Sequence, residues 1–473
     1  MKEYNASPTN KNKATSVRLR KRSLRARVKG SLPIHFSNEA LTAHAGLSLI
    51  GDFLQSAGWA ERLRKVFADR DFDTDYGSFR MTLAVIGLIL VGGTRLAHLR
   101  ELSIDPVFLR FARFERIPSE RTLSRWLKDI SEGYRDRLGE LLRDIAFSTW
   151  AHGKLRRITI DLDGTVVRTG GSVEGAEHGF NPHPPKDPSY YPLTAHLAQT
   201  GQLLDVVNRS GRVHDSEGAV GRLRFLIDEV RERLGHVPIE VRLDGAFCQA
   251  PVLELLAASG VDFAMKLPMW KWLDVRDRIK RRKSWMKVHA SVDGFSLRLR
   301  LKAWKRTERV VVFRKKISGK PAKDFQLELF QPDDGFYEYS MVVTNKSDSE
   351  ATIWQFMAGR GAHEKTLGEL KQNFAFGSVV KNDWDANSTW QLLSALTHNL
   401  ARDFQLRAGL ATPRRNTRKR TYRYSFRSMR TLRFLLVHIP GRIARPQGRS
   451  ELRIAAAPTA RKRIQGVIDA IAA

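Results

Sequence analysis

The chain has 473 residues, with 81 Lys and Arg against 50 Asp and Glu, a formal net charge of +31 at pH 7. So positive a balance favours a polyanionic partner, most often nucleic acid, although ribosomal or membrane-surface binding gives the same charge. The single cysteine, Cys248, excludes a disulfide framework and a cysteine-based zinc site, while 42% apolar residues and ten Trp argue for a folded enzyme over a basic tail protein.

Residues 1–37 read as a basic arm, with Arg18, Arg20, Lys21, Arg22, Arg25, Arg27 and Lys29 close together. Such a run grips a nucleic-acid backbone or serves as a solubilising tail, and the whole-chain charge favours the first. The arm has no apolar signal core, and the longest apolar run, Leu83–Val91, is too short to cross a bilayer. These features predict a cytoplasmic, nucleoid-associated protein with no membrane partner.

From 38 to 150 the pattern is helical, with helices expected near 39–57, 58–67, 77–91, 94–101, 119–131 and 132–150. Ser119 is positioned as an N-cap after Pro118. Arg121, Ser124, Arg125 and Lys128 then lie away from Leu123, Trp126, Leu127 and Ile130. A short helix with apolar backing and a basic outer face suits the recognition helix of a helix-turn-helix. An ordinary surface helix carries the same pattern.

Residues 151–269 read as the first part of an α/β core. In Ile158-Thr-Ile-Asp161-Leu-Asp163-Gly, the isoleucines and Leu162 share one face, and Thr159, Asp161 and Asp163 share the other. Ile239-Glu-Val-Arg-Leu-Asp244-Gly repeats the design. Each strand delivers an aspartate to its C-terminal end, where α/β sheets build their sites. Asp-Gly is also a common turn dipeptide. Further strands are expected at 193–199, 202–208 and 262–267, with helices at 216–234 and 249–258.

Residues 270–349 read as a β-rich insertion, with strands around Ser296–Lys302, Val310–Phe313, Gln326–Phe330 and Tyr337–Val343. Its Trp285 and Trp304 either contact an unpaired base or pack within the insertion. The second part of the core, 350–410, is expected to hold helices at 351–373 and 386–407. In the first of these, Arg360, Glu364, Leu367, Gly368 and Lys371 form one stripe. A carboxylate between two cations suits a metal-held phosphate, though a solvated helix with ion pairs looks alike. His363-Glu364 is no zincin motif, because Leu367 stands where the second histidine belongs. The basic C-terminal region, 411–473, opens on Arg414, Arg415, Arg418, Lys419 and Arg420, followed by Tyr422, Tyr424 and Phe426. It reads as a phosphate-tracking surface or a basic solvent-facing helix.

Three carboxylates, two at strand ends and one on a helix, make a set that resembles the Asp-Asp-Glu triad of DDE transposases from bacterial insertion sequences. One branch of that family carries Tyr-x2-Arg-x3-Glu-x6-Lys around its glutamate. Arg360, Glu364 and Lys371 fit this spacing, and Met357 departs from it at the Tyr position. Asp163-Gly-Thr, Tyr190-Tyr-Pro-Leu193, Gly211-Arg-Val-His214-Asp215-Ser, Leu243-Asp244-Gly-Ala-Phe247 and His398-Asn399-Leu400 resemble other family segments, over about 155–405.

The resemblance implies an RNase H-like mixed sheet flanked by helices, with the 270–349 insertion between the second Asp and the Glu. It implies Asp163, Asp244 and Glu364 as catalytic metal ligands for Mg²⁺, with Mn²⁺ able to substitute. Alternation alone cannot separate Asp163 from Asp161; the Gly-Thr that follows favours Asp163, with Asp161 second choice. Arg360 and Lys371 would hold phosphate. His214 and His363 read as structural residues near the site. The expected partners are double-stranded DNA, as terminal inverted repeats and as target, and a second copy of the chain in a synaptic homodimer. A related nuclease without joining, and an inactive DNA-binding repressor, are the rival readings.

Overall fold

The computed structural model describes residues 36, 38–70, 76–179, 187–316, 337–414 and 423–472. The basic arm up to Lys29, the expected 326–330 strand, Arg415, Arg418, Lys419, Arg420 and Tyr422 lie outside the described residues.

The first helices are α1 (Leu47–Ser56), α2 (Trp59–Val66), α3 (Ser78–Val91), α4 (Pro106–Ala112), α5 (Glu120–Lys128) and α6 (Glu132–His152). The expected 39–57 helix starts late. Leu41–Thr42 instead forms a short strand against Gly441–Ala444, which pairs in turn with Glu451–Ile454. Thr42 Oγ1 donates to Asp105, which also caps α4 by accepting from the Val107 and Phe108 amides. α3 is apolar almost all round because other elements enclose it. No single helix among the described residues is long and apolar enough to cross a membrane.

The central sheet begins with β1 (Ile158–Gly164), β2 (Leu193–Leu197) and β3 (Gln202–Val207). Helix α7 (Ala219–Leu234), β4 (Ile239–Leu243), α8 (Ala250–Ala258) and β5 (Asp262–Lys266) follow. The strand order is β3-β2-β1-β4-β5, and only β2 runs against the rest. This is the expected RNase H-like mixed sheet. Helix α9 (Val275–Arg281) then leads to β6 (Met286–His289), β7 (Val292–Leu301), β8 (Arg306–Lys316) and β9 (Tyr337–Thr344). β9 pairs antiparallel with β5, so the inserted strands extend the core sheet to nine strands instead of forming a sheet of their own. Trp285 packs edge-on against Phe295 at 4.8 Å, and Trp304 joins Trp270 and Trp272.

The two faces of β1 and β4 differ as alternation predicts. Ile158, Ile160, Leu162, Val241 and Leu243 pack in one apolar core with α7 and α8. The other face is also buried, yet polar: Thr159, Asp161, Thr194, His196, Glu240 and Arg242 are all under 5% exposed. The register sets Asp161 between His196 on β2 and Arg242 on β4. Charged groups survive there because each finds a partner across the strands.

The expected 351–373 helix is two helices, α10 (Glu350–Ala358) and α11 (Gly361–Asn373), broken at Gly359-Arg360. Helix α12 (Trp384–Arg407) is buried along nearly its whole length and packs on α6 and β3. Among its described residues, the 411–473 region forms α13 (Met429–Leu432), a π-turn over 433–437, the strands noted above and α14 (Pro458–Ala472). α14 returns to α1, and one apolar core joins α1, α12 and Ile464 and Val467 of α14.

Candidate active site

Asp163 ends β1 and Asp244 follows β4, the parallel neighbour of β1. Arg360 lies between them. Its Nη2 is 3.0 Å from Asp163 Oδ1 and 3.4 Å from Asp244 Oδ2. Arg360 is the N-cap of α11, at the break between α10 and α11, and is buried against both carboxylates, 8% exposed. Asp244 Oδ1 also accepts from the Ala246 amide at 3.0 Å, which fixes its turn.

Glu364 stands one turn into α11 and is exposed. Its charge still reaches Asp163. Burial, opposed by Arg360 and reinforced by Asp244, Asp215 and Glu364, pushes the Asp163 carboxyl up to about 7. Lys371 Nζ donates to the Val166 carbonyl at 2.7 Å, and burial lowers its pKa against the pull of Asp163. The structure therefore gathers Asp163, Asp244, Glu364, Arg360 and Lys371 into one electrostatic neighbourhood.

Asp161 lies deeper on the same strand face and is fully buried. Arg242 occupies both of its oxygens, and His196 Nδ1 lies 3.4 Å from Oδ2. Asp161, His196 and His363 have ligand atoms close enough for a metal ion. A guanidinium already neutralises that carboxylate, so the group fits a closed structural network better than a cation. Asp163 and Asp244 keep 16% and 27% of their side chains exposed, and Asp244, Asp215 and Glu364 act on Asp163 as like charges.

Arg121 and Arg125 lie on the exposed side of α5 and make no ion pair with these carboxylates. Arg414 closes a hairpin, its Nε donating to the Tyr424 carbonyl. His214 is exposed and bonds Ser216, and His363 is buried and stacked on His196 at 4.5 Å. Met357 packs against the apolar cluster of Val311, Phe313 and Ile353.

A family model described as "Transposase DDE domain group 1" matches residues 25–473. The chain belongs to this DDE transposase family. It is therefore a transposase, in a family of metal-dependent enzymes that cleave DNA. A solved structure titled a cryo-EM structure of piggyBac transposase synaptic complex with hairpin DNA is similar at a TM-score of 0.40 and 13% identity, over 90% of this chain and 82% of that one. No curated protein sequence matches the chain.

Sequence reasoning on this transposase passed over Asp215. The Gly211–Ser216 turn stood out in the sequence, but nothing local showed that its aspartate returns to the end of β1. Its charge acts on Asp163, and that of Asp244 acts on it.

Proposed function

We propose that the chain is the transposase of an insertion sequence, binding the element's terminal inverted repeats, cutting at their ends and joining them to target DNA. The observation that carries this reading is the pair Asp163 and Asp244 at adjacent strand ends, bridged by Arg360 with Glu364 one turn beyond.

Asp163, Asp244 and Glu364 are the residues to hold divalent cations, Mg²⁺ by preference, with Mn²⁺ able to substitute. Bound there, such ions would neutralise the phosphodiester and activate the attacking oxygen. Their donors are all carboxylate oxygens, which suits a hard ion. Arg360 and Lys371 orient phosphate oxygens once DNA is seated. With Met357 in place of a tyrosine, phosphate contact rests on these two cations. No side-chain nucleophile is required, because water serves for cleavage and a DNA 3′-OH for joining. Arg121, Arg125, Arg414, Arg415, Arg418, Lys419 and Arg420 supply backbone contacts, and a synaptic homodimer brings two ends together.

The test is Mg²⁺-dependent cleavage and joining on DNA carrying the gene's flanking repeats, comparing wild type with Glu364→Gln. Nicked and joined products from wild type alone support the reading. Nicking without joining leaves a nuclease, and binding without cutting by either protein leaves a repressor.

A further inference from the structure

Glu364 sits in the first turn of α11, so what fixes this helix fixes the glutamate. The far end of α11 is held by residues that come late in the chain. Arg433, half-buried in the π-turn after α13, spans two helix ends with its guanidinium. Its Nη2 donates to the carbonyl of Asn373, the last residue of α11, and to that of Ile89. Its Nε donates to the Leu90 carbonyl at 2.8 Å, so both of these carbonyls lie in the last turn of α3. Carbonyls at helix C-termini have no partner within the helix, and a planar guanidinium with five donors can serve several at once. Glu369, one turn before Asn373, adds a second attachment. Its Oε1 accepts from the Met429 amide at 2.9 Å, and its Oε2 from Arg402 Nη2 of α12 at 2.6 Å. Gln405 of α12 then exchanges hydrogen bonds with both backbone groups of Arg427, at 2.8 and 3.2 Å.

The basic C-terminal region reads from its sequence as a surface for phosphate, yet three hydrogen bonds of Arg433 go to protein carbonyls. Burial lowers its pKa to about 10 against the pull of Glu369, so the guanidinium stays charged at neutral pH. We propose that the stretch 427–437 is a clamp on the glutamate helix, and that Arg433 is a positioning residue for strand cleavage. By tying Asn373 to the end of α3 it holds α11, and with it Glu364 and Lys371, in place beside β1, where Lys371 reaches the Val166 carbonyl. This rests on the reading of Glu364 as a site residue given above. In this role Arg433 touches neither DNA nor metal, and its effect on the reaction passes through the helix.

The experiment uses the full chain, with Mg²⁺ and DNA carrying the gene's flanking repeats, on wild type, Arg433→Met and Arg433→Lys. Cleavage kcat, DNA Kd and hydrogen exchange of the 368–373 amides are measured well below every Tm. Methionine keeps an apolar stem and removes all donors; lysine keeps a cation that cannot serve both helix ends. Arg433→Met should lower kcat about tenfold or more with Kd unchanged, because a displaced helix misplaces its carboxylate. Arg433→Lys should recover part of that loss. The 368–373 amides should exchange faster in Arg433→Met. If that variant does not fold, Glu369→Gln, which loosens the second attachment, should show the same split between kcat and Kd. A lower Tm with full kcat overturns the proposal in favour of support for the fold alone. A weakened Kd with kcat retained overturns it in favour of a DNA contact. Either result, with wild type cleaving, leaves the reading of Glu364 intact. Absence of cleavage by wild type overturns both readings together.

Discussion

Both carboxylate oxygens of Asp161 accept from Arg242, each at 2.6 Å, and neither side chain has exposed surface. The parallel register places the two residues opposite each other on β1 and β4. Two residues later the same strand face meets the open end of the sheet, where Asp163 keeps 16% of its side chain exposed. Depth along one strand thus separates a structural aspartate from a candidate ligand. Arg242→Met would strand a buried charge, and we expect a loss of about 3–5 kcal/mol in denaturant unfolding. The double variant Asp161→Leu with Arg242→Met should recover most of that loss. A single variant as stable as wild type contradicts the assignment.

Arg360 is bound to both strand-end carboxylates, so its removal has two separable effects. Without its positive charge on a developing phosphoryl centre, Arg360→Ala should lower joining by about 10²–10³-fold. Mn²⁺ affinity should hold or rise, since a competing cation has gone from Asp163 and Asp244. Calorimetry beside a joining assay checks both signs. Weakened Mn²⁺ binding would mean that Arg360 shapes the metal ligands and does not act on phosphate.

Much of the site's framework was legible because it follows from local pattern. Alternation in β1 and β4 put the aspartates on one face and at strand ends, and the residue types around Glu364 pointed to phosphate chemistry. What escaped was non-local. Asp161 and Asp163 are equivalent to alternation, and only the cross-strand neighbour Arg242 tells them apart. Helical spacing ran straight through Gly359-Arg360, where the chain instead breaks between α10 and α11. β9 joins β5 across a long insertion, and the C-terminal segment folds back on α1; no periodicity encodes either contact.

That fold-back makes one glycine decisive. A Cβ on Gly46 would collide with the Leu436 carbonyl, and backbone cannot move aside as a side-chain tip can. The Gly46 amide donates to the Val437 carbonyl at the same place. Gly46→Ala should therefore cost about 1–3 kcal/mol or more. The check is a thermal melt, with Gly221→Ala, which meets open space, as control.

Glu240 gives a pH dependence with a definite sign. Burial alone would raise its pKa, but the Thr159 hydroxyl, Lys346 and Arg157 outweigh that and hold the carboxyl below its usual value. A carboxyl lowered in the folded state contributes stability above its unfolded pKa of about 4.3, and that contribution is lost as pH falls through the lower folded value. Glu240→Gln should therefore melt below wild type at pH 7, and the gap should close as pH falls from about 4.5 towards 3. A gap that is constant across this range would assign the effect to packing.

The link between β1 and the glutamate helix runs through Thr194. Its Oγ1 donates to the Asp163 carbonyl at 3.1 Å, and His363 Nε2 lies 3.3 Å away. With the hydroxyl proton committed to Asp163, Nε2 must be the donor to Thr194. Burial holds the His363 pKa well below the usual histidine value, so the ring is neutral, and it stacks on His196 at 4.5 Å. His363 immediately precedes Glu364, so this chain of contacts links the strand that carries Asp163 to the start of the glutamate helix. Thr194→Val keeps the volume and removes the hydroxyl. It should cost about 1–3 kcal/mol of stability and lower kcat about tenfold or more, while DNA affinity stays unchanged. Thr194→Ser should restore both. A Thr194→Val protein with lowered stability but full kcat would show that the network supports the fold without tuning the geometry of the centre.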